Sequence, residues 1–242
     1  MRTIRQPGQL AFAGVFPLIF LFLIASGLDR ASSIPGFPAD TYVDFMLAIP
    51  FVHGALFTAL NSATEMGRDI DTGFLNRLAL TPARGVAIML GNLAGAVALA
   101  MVQFAVYLGG GLLMGAHIEA GWPGIPVLFL LAALGAVAIG LTGMWAALRS
   151  GSPEAVQGIF PLFFVLLFLS SMNLPRNLIE ADWFRWVATL NPVSYLIEGL
   201  RSLVITGWDG ETLAIGFGVT LAATAASLYV CDRAFRARMT RT

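Results

Sequence analysis

Apolar residues gather into six long uncharged runs along the chain, separated by shorter polar stretches. Each run has about twenty residues or more, the length that a helix needs to cross a hydrocarbon core of about 30 Å. The pattern predicts transmembrane helices at 10–28, 45–63, 86–115, 124–148, 155–172 and 212–231. No soluble domain or low-complexity linker interrupts them. We therefore expect an all-α integral membrane fold, in a single domain over 1–242.

Arginine positions predict the orientation of these spans. With six spans, both termini lie on one side, and that side collects ten of the fourteen basic residues. Cytoplasmic loops carry the excess of basic residues in membrane proteins. We therefore expect both termini in the cytoplasm of a bacterial inner-membrane protein. The first run is too long for a signal-peptide core, so we expect it to be kept rather than cleaved.

The cytoplasmic loop between the second and third runs has a helical period. Ile70, Phe74 and Leu78 recur every four residues and so share one helical face. The charged side chains that project elsewhere are Arg68, Asp69, Asp71 and Arg77. The pattern predicts an amphipathic helix over 67–80 at the membrane surface. Because lipid-surface helices are usually richer in basic residues, its mixed charge indicates a protein partner at least as well as a lipid surface. A solvated, lipid-lying loop helix is the alternative.

The outer segment between the fifth and sixth runs, 173–211, is too polar to cross the membrane twice. Asn191 is a good N-cap and Pro192 suits the first helical position. We expect one or two re-entrant or interfacial helices over 176–206. Tyr195, Glu198 and Arg201 are candidates for an outer gate, and the three-residue spacing of Glu198 and Arg201 predicts an ion pair on the exposed face. A purely structural pair is the alternative.

Composition narrows the function classes. Hydrophobic residues make up 57% of the chain and charged residues 12%, against roughly 25% charged in soluble domains. The net charge of zero indicates no nucleic-acid partner. Every basic residue is an arginine, so the lysine of a phosphate-binding Walker A loop is missing. We expect no ATP or other cofactor bound by this chain itself.

The membrane runs also lack the residues that power or catalyse reactions. Their centres hold no Asp, Glu or Arg, which disfavours an ion-driven transporter. His53 is the one titratable candidate there, as a packing residue or a proton relay. No metal-site or hydrolase motif occurs, so the energy for transport would come from another polypeptide. The candidates for an apolar substrate path are Phe51, His53, Phe57, Phe163, Phe164 and Phe168. Packing in the protein core is the alternative role for each of them.

Two motifs in order along the chain support a family resemblance. The first begins at Glu65-Met66-Gly67-Arg68 and continues from Gly73 through Thr81-Pro82 to Arg84. The second is Asn191-Pro192-Val193-Ser194-Tyr195-Leu196-Ile197-Glu198-Gly199-Leu200-Arg201. With these motifs, the chain resembles the permease subunits of ABC type-2 transporters, in particular the daunorubicin-resistance type of drug and lipid exporter.

The resemblance implies an assembly and a function. Two permease copies, as a homodimer or a heterodimer, would pair in the lipid membrane above two ABC ATPase subunits that bind ATP and Mg. The amphipathic helix would be the coupling helix, formed by Glu65, Arg68, Asp69, Ile70, Asp71, Phe74, Arg77 and Leu78. The cargo would be a hydrophobic or amphipathic drug-like or lipid molecule. The alternatives are a permease for polysaccharides or lipid-linked glycans and a non-transporting membrane scaffold or enzyme subunit.

Overall fold

The computed structural model describes residues 7–74, 77 and 85–239, and throughout these ranges the regular structure is helical, without a strand. Two short 3₁₀ helices, Asp29–Ser33 and Arg176–Leu178, lie in the connections between α-helices. The α-helices are α1 Pro7–Gly27, α2 Tyr42–Met46, α3 Ala48–Asp71, α4 Gly85–Leu113, α5 Gly121–Ser150, α6 Pro153–Phe168, α7 Asp182–Leu190, α8 Pro192–Ile205 and α9 Gly210–Met239.

In the described part of the chain, four helical stretches are long and apolar enough to cross a membrane. They are Tyr42–Asp71, which joins α2 to α3, and Ala87–Leu113, Gly121–Ser150 and Gly210–Arg238. These stretches coincide with the second, third, fourth and sixth predicted spans. The first and fifth predicted spans coincide with shorter apolar stretches, Val15–Gly27 and Pro153–Phe168. The chain is thus a multi-pass membrane protein, and the count of six spans stays a prediction.

Helix α3 is the centre of the bundle. It packs against α1, α4, α5 and α6, and most of its apolar stretch is buried. By contrast, most of α9 faces outward. Just before α3, the helix is interrupted at Leu47. Pro50 has no N–H to donate to the carbonyl of Met46, because its nitrogen is part of the proline ring. The helical hydrogen bond between these residues is therefore missing, which explains the interruption.

The buried side chains form two clusters, one towards each end of the bundle, and the two ends are named outer and cytoplasmic after the orientation predicted from the sequence. The outer cluster joins α2, the first half of α3, α5 and α8, and includes Phe45, Phe51 and Leu200. The cytoplasmic cluster joins the last turns of α3 to α4, α5 and α9, and includes Met66 and Phe235. Helix α6 contributes only Leu167 to the first and Val156 to the second. The middle of α6 packs on α3 through partly exposed aromatic rings, and its two ends make further polar and backbone contacts.

Candidate functional site

Asn191 joins the start of α8 to the end of α6. Its Oδ1 accepts from the N–H of Val193 at 3.0 Å, which caps α8. Its Nδ2 donates to the carbonyls of Leu166 and Leu169. The last four carbonyls of a helix have no partner within that helix. One buried side chain therefore satisfies a donor of α8 and two acceptors at the end of α6.

Arg201 completes the attachment ten residues later. Its Nε donates to the carbonyl of Phe45 at 2.9 Å, Nη1 to Ser171 at 3.0 Å and Nη2 to Met172 at 2.9 Å. Its guanidinium also lies 3.5 Å from the ring centroid of Phe45. Ser194, between Asn191 and Arg201, accepts from the N–H of Ser171 at 3.2 Å. We call these contacts of Asn191, Ser194 and Arg201 with residues 166–172 the outer cap.

The predicted ion pair between Glu198 and Arg201 is wrong. Glu198 instead pairs with Arg176 of the preceding 3₁₀ helix, whose guanidinium lies 4.7 Å from the ring centroid of Tyr195. Arg201 points into the protein and is 5% exposed, because Phe45 of α2 offers it one carbonyl acceptor and the backbone beyond α6 offers two. Tyr195 and Glu198 thus both contact Arg176, whereas the hydrogen bonds of Arg201 go to main-chain carbonyls. A gating role for all three stays a prediction.

Seven rings form a continuous aromatic strip across α1, α3 and α6. The strip consists of Phe16, Phe20, His53, Phe57, Phe160, Phe164 and Phe168, with neighbouring ring centroids between 4.8 and 6.5 Å apart. Helices α1 and α6 both pack on α3, so α3 supplies the middle of the strip. At one end, Phe168 is half exposed. The strip thus presents aromatic surface between two helices that carry large exposed apolar side chains.

The strip contains four of the six residues predicted for the substrate path. Phe51 lies instead in a separate buried cluster, with Phe104 at 5.3 Å and Phe129 at 6.1 Å. Its position six residues before Phe57 turns it to another face of α3. Phe163 lines a small space against α5 beside Gly143. The prediction did not separate helix faces, and for these two residues the structure shows packing within the bundle.

His53 lies inside the aromatic strip. Its ring is 5.3 Å from that of Phe20 and 6.1 Å from that of Phe164. Nδ1 lies 3.2 Å from the carbonyl of Ile49, one turn earlier in α3. A hydrogen bond within its own helix is typical of a histidine that packs in the protein core. None of the described acidic side chains is paired with His53.

The segment 67–80, which the sequence predicts as a coupling helix and which we call the coupling segment, is not one continuous helix in its described part. Helix α3 continues through Ile70 to Asp71, and the chain then turns at Thr72 and Gly73. Gly73 has a φ of +68°, a conformation that glycine adopts without strain. Ile70 is buried in the last turn of α3, while Phe74 lies beyond the break and is exposed. Leu78 lies outside the described residues. The four-residue period therefore spans a helix end rather than one continuous helix.

The coupling segment also follows directly on a close contact between α3 and α6. Gly67 lies against the first residue of α6, since a Cβ on it would be 2.9 Å from both N and Cα of Pro153. Ser152 caps α6 by accepting from the N–H of Ala155 at 3.3 Å. Next to it, Arg238 of α9 donates to the carbonyl of Leu148 at 2.9 Å. The cytoplasmic end of α6 is thus held by backbone contact with α3.

Among the described residues, Gly67 of the first quoted motif lies beside Pro153 at one end of α6, and Asn191 of the second lies beside Leu169 at the other. Residues 1–205 match the family described as ABC-2 type transporter. The chain belongs to the ABC-2 type transporter family. The resemblance expected from the two motifs is confirmed, and this ABC-2 chain is a membrane transport permease.

Individual relatives are also named as permeases. The transport permease ycf38 of Pyropia yezoensis is 30% identical over 203 residues, which cover 82% of this ABC-2 permease and 68% of the relative. The daunorubicin resistance ABC transporter permease protein DrrB1 of Streptomyces coeruleorubidus is 26% identical over 223 residues, or 88% and 76% of the two chains. These similarities extend over most of the permease and include both ends of α6.

Sequence reasoning missed the structural roles of three residues in this ABC-2 permease. Ser194 and Arg176 were not singled out, and Gly67 was quoted only as part of a motif. A signal was present for Arg201, because Ile197 and Val204 place it on the apolar face of α8. A charge on that face indicates a buried partner. The contacts of Gly67 and Arg176 depend on segments far away in sequence and left no local pattern.

Proposed function

We infer that this ABC-2 permease is the membrane subunit of an exporter driven by a separate ABC ATPase. Its cargo is a hydrophobic or amphipathic molecule of drug-like or lipid type. The aromatic strip is the observation that carries this assignment, since its seven rings offer extended apolar and stacking surface. The name of the DrrB1 relative, which mentions daunorubicin resistance, supports a cargo of this class.

The proposed topology has six spans and cytoplasmic termini. The 21 residues of α1 span about 32 Å and the 16 residues of α6 about 24 Å. Because α6 is shorter than a hydrocarbon core of about 30 Å, the chain beyond Phe168 would still lie within the membrane. The outer cap supplies the donors that its carbonyls need there. Helix α8 would accordingly enter the outer leaflet as a re-entrant helix.

The proposed energy path begins at the coupling segment. ATP and Mg would bind to the partner ATPase, which contacts the charged residues from Arg68 to Arg77. Movement of that segment would pass along α3 and, through Gly67 and Pro153, to α6. The path to the outer cap would follow α6 itself. In a pair of permease copies, ATP would favour one of two arrangements by binding it better than the other.

The test uses the complex purified from native membranes through a tag on the permease. An ABC ATPase should co-purify, and vesicles containing the complex should accumulate a lipophilic fluorescent amine when ATP is added. Phe57→Ala and Phe164→Ala each remove a ring from the aromatic strip. Loss of one aromatic contact of about 1 kcal/mol predicts roughly fivefold slower uptake at low dye concentration.

Phe22→Ala is the matched control, because Phe22 lies on α1, is exposed and makes no ring contact of the strip. Its uptake should equal that of the unchanged protein. Absence of an ATPase from the purified complex would contradict the proposal. So would equal uptake in all three variants, or ATP-dependent movement of a lipid-linked glycan in place of the dye.

A further inference from the structure

A cavity of about 300 Å³ lies on the outer side of the protein, away from the aromatic strip. Its walls come from the loop before α2, the 3₁₀ helix at 176–178, α8 and the start of α9. The charged residues that line it are Arg176, Glu198, Arg201 and Asp209. Its volume equals that of roughly ten water molecules, which is ample for one phosphate-sized group.

Three of these four charged groups already have partners within the protein. Arg176 and Glu198 form an ion pair. The Asp209 carboxylate caps α9, accepting from the N–H groups of Glu211 at 3.1 Å and Thr212 at 3.3 Å and from the hydroxyl of Thr212 at 2.6 Å. These bonds lower the pKa of Asp209, as expected for a carboxylate at a helix N-terminus.

Arg201 is the charge without a direct ion-pair partner among the described residues, and the Glu198 carboxylate acts on it only from beyond ion-pair distance. It is 5% exposed, and its bonds go to three neutral carbonyls. No carboxylate of the described residues lies within the 4.0 Å of an ion pair. Burial of an unpaired charge is costly, and the same burial lowers the pKa of Arg201. Two of its five N–H donors remain beyond those three bonds.

The cavity therefore combines a buried guanidinium in need of a counter-charge with space for a ligand beside it. Arg176, in the same wall, retains further N–H donors after its bond to Glu198. Two guanidinium groups on one cavity suit the planar, bidentate recognition of a phosphate. Phe45, Pro175 and Ile205 add an apolar wall, which would accommodate the carbon skeleton next to that phosphate.

We propose that this cavity binds a phosphate group on the outer side of the permease, between Arg176 and Arg201. The phosphate belongs to a lipid headgroup or is free inorganic phosphate. The ligand supplies the anionic charge that Arg201 lacks, and so stabilises the junction of α2, α8 and the end of α6. This site does not depend on the exporter assignment, because binding needs neither ATP nor an ATPase.

The experiment uses the full-length chain in a maltoside detergent and phosphate-free buffer. Native mass spectrometry compares adducts of dioleoylphosphatidylglycerol with those of dioleoylglycerol, which lacks the phosphate. Thermal unfolding compares sodium phosphate with sodium chloride at equal ionic strength. The unchanged protein should bind the phosphatidylglycerol at least about threefold more than the diacylglycerol, or be stabilised by phosphate beyond chloride. Preference for the phospholipid alone identifies the headgroup, and equal protection by inorganic phosphate identifies the free ion.

Three variants locate the site. Arg176→Gln removes one guanidinium and leaves Glu198 to neutralise Arg201, so binding should fall about tenfold. Thr206→Phe fills the cavity from an exposed wall position and should abolish binding. Arg185→Gln breaks a similar outer-side ion pair, with Asp182 on α7, and should leave binding unchanged. The proposal fails if both lipids bind equally and phosphate protects no better than chloride, or if all three variants bind alike.

Discussion

The outer end of α6 (Pro153–Phe168) is held by side chains of α8, whereas its cytoplasmic end is held by backbone contact with α3. At the outer end, Asn191 and Arg201 donate to main-chain carbonyls. At the cytoplasmic end, Gly67 allows α3 to touch Pro153. Hydrogen bonds of fixed geometry set the position of a helix end. A glycine contact transmits displacement but leaves the two helices free to slide. The difference fits the proposal that α6 is displaced at its cytoplasmic end and held in place at its outer end.

The largest effect is expected from Arg201→Met, which breaks the outer end. The carbonyls of Phe45, Ser171 and Met172 would lose their donor while buried. The expected cost is at least about 3 kcal/mol in the free energy of unfolding. The thermal unfolding midpoint in detergent should fall by roughly 6–12 °C.

Arg185→Met provides the comparison for this variant. Arg185 forms an exposed ion pair, and such pairs contribute less than about 1 kcal/mol. Its midpoint should stay within about 3 °C of the unchanged protein. Equal shifts in the two variants would show that the three carbonyl bonds of Arg201 do not hold α6.

A smaller effect is expected from substitutions of Asn191, which separate its two roles. Asn191→Ala removes both the cap on α8 and the donors to α6. This should lower the free energy of unfolding by about 2 kcal/mol. Asn191→Ser keeps an N-cap oxygen but cannot reach Leu166 and Leu169, so about half of that loss is expected. Unfolding midpoints measure both. A serine variant as stable as the unchanged protein would assign the residue to α8 alone.

The sequence predicted the helices well and their ends poorly. The fourth apolar run, 124–148, lies within α5 at Gly121–Ser150, because an uncharged run in lipid must satisfy its backbone internally as a helix. The prediction for the coupling segment was less accurate. The four-residue period of Ile70 and Phe74 does not show that Gly73, which lies between them, has a positive φ. Charge spacing likewise predicts a pair of Glu198 with Arg201. The carbonyls that accept the hydrogen bonds of Arg201 instead belong to α2 and to the chain after α6, which the local spacing does not show.

The smallest effect on stability, but a large one on transport, is expected at the cytoplasmic end. In Gly67→Ala, the gain of about 1 kcal/mol in helix propensity offsets part of the 1–3 kcal/mol or so that overpacking costs. The new Cβ would push against the backbone of Pro153. Gly91→Ala on α4 is the matched control, since its Cβ position has no atom of another described helix within 4 Å. Both variants should insert and co-purify with the ATPase.

The most direct measurement compares ATP-dependent dye uptake per ATP hydrolysed in vesicles containing these two variants. If α3 drives α6 through the contact of Gly67 with Pro153, Gly67→Ala should hydrolyse ATP but move about tenfold less dye per ATP, a loss of about 1.4 kcal/mol in coupling. Gly91→Ala should keep the ratio of the unchanged protein. Equal ratios in the two variants would contradict transmission through this contact.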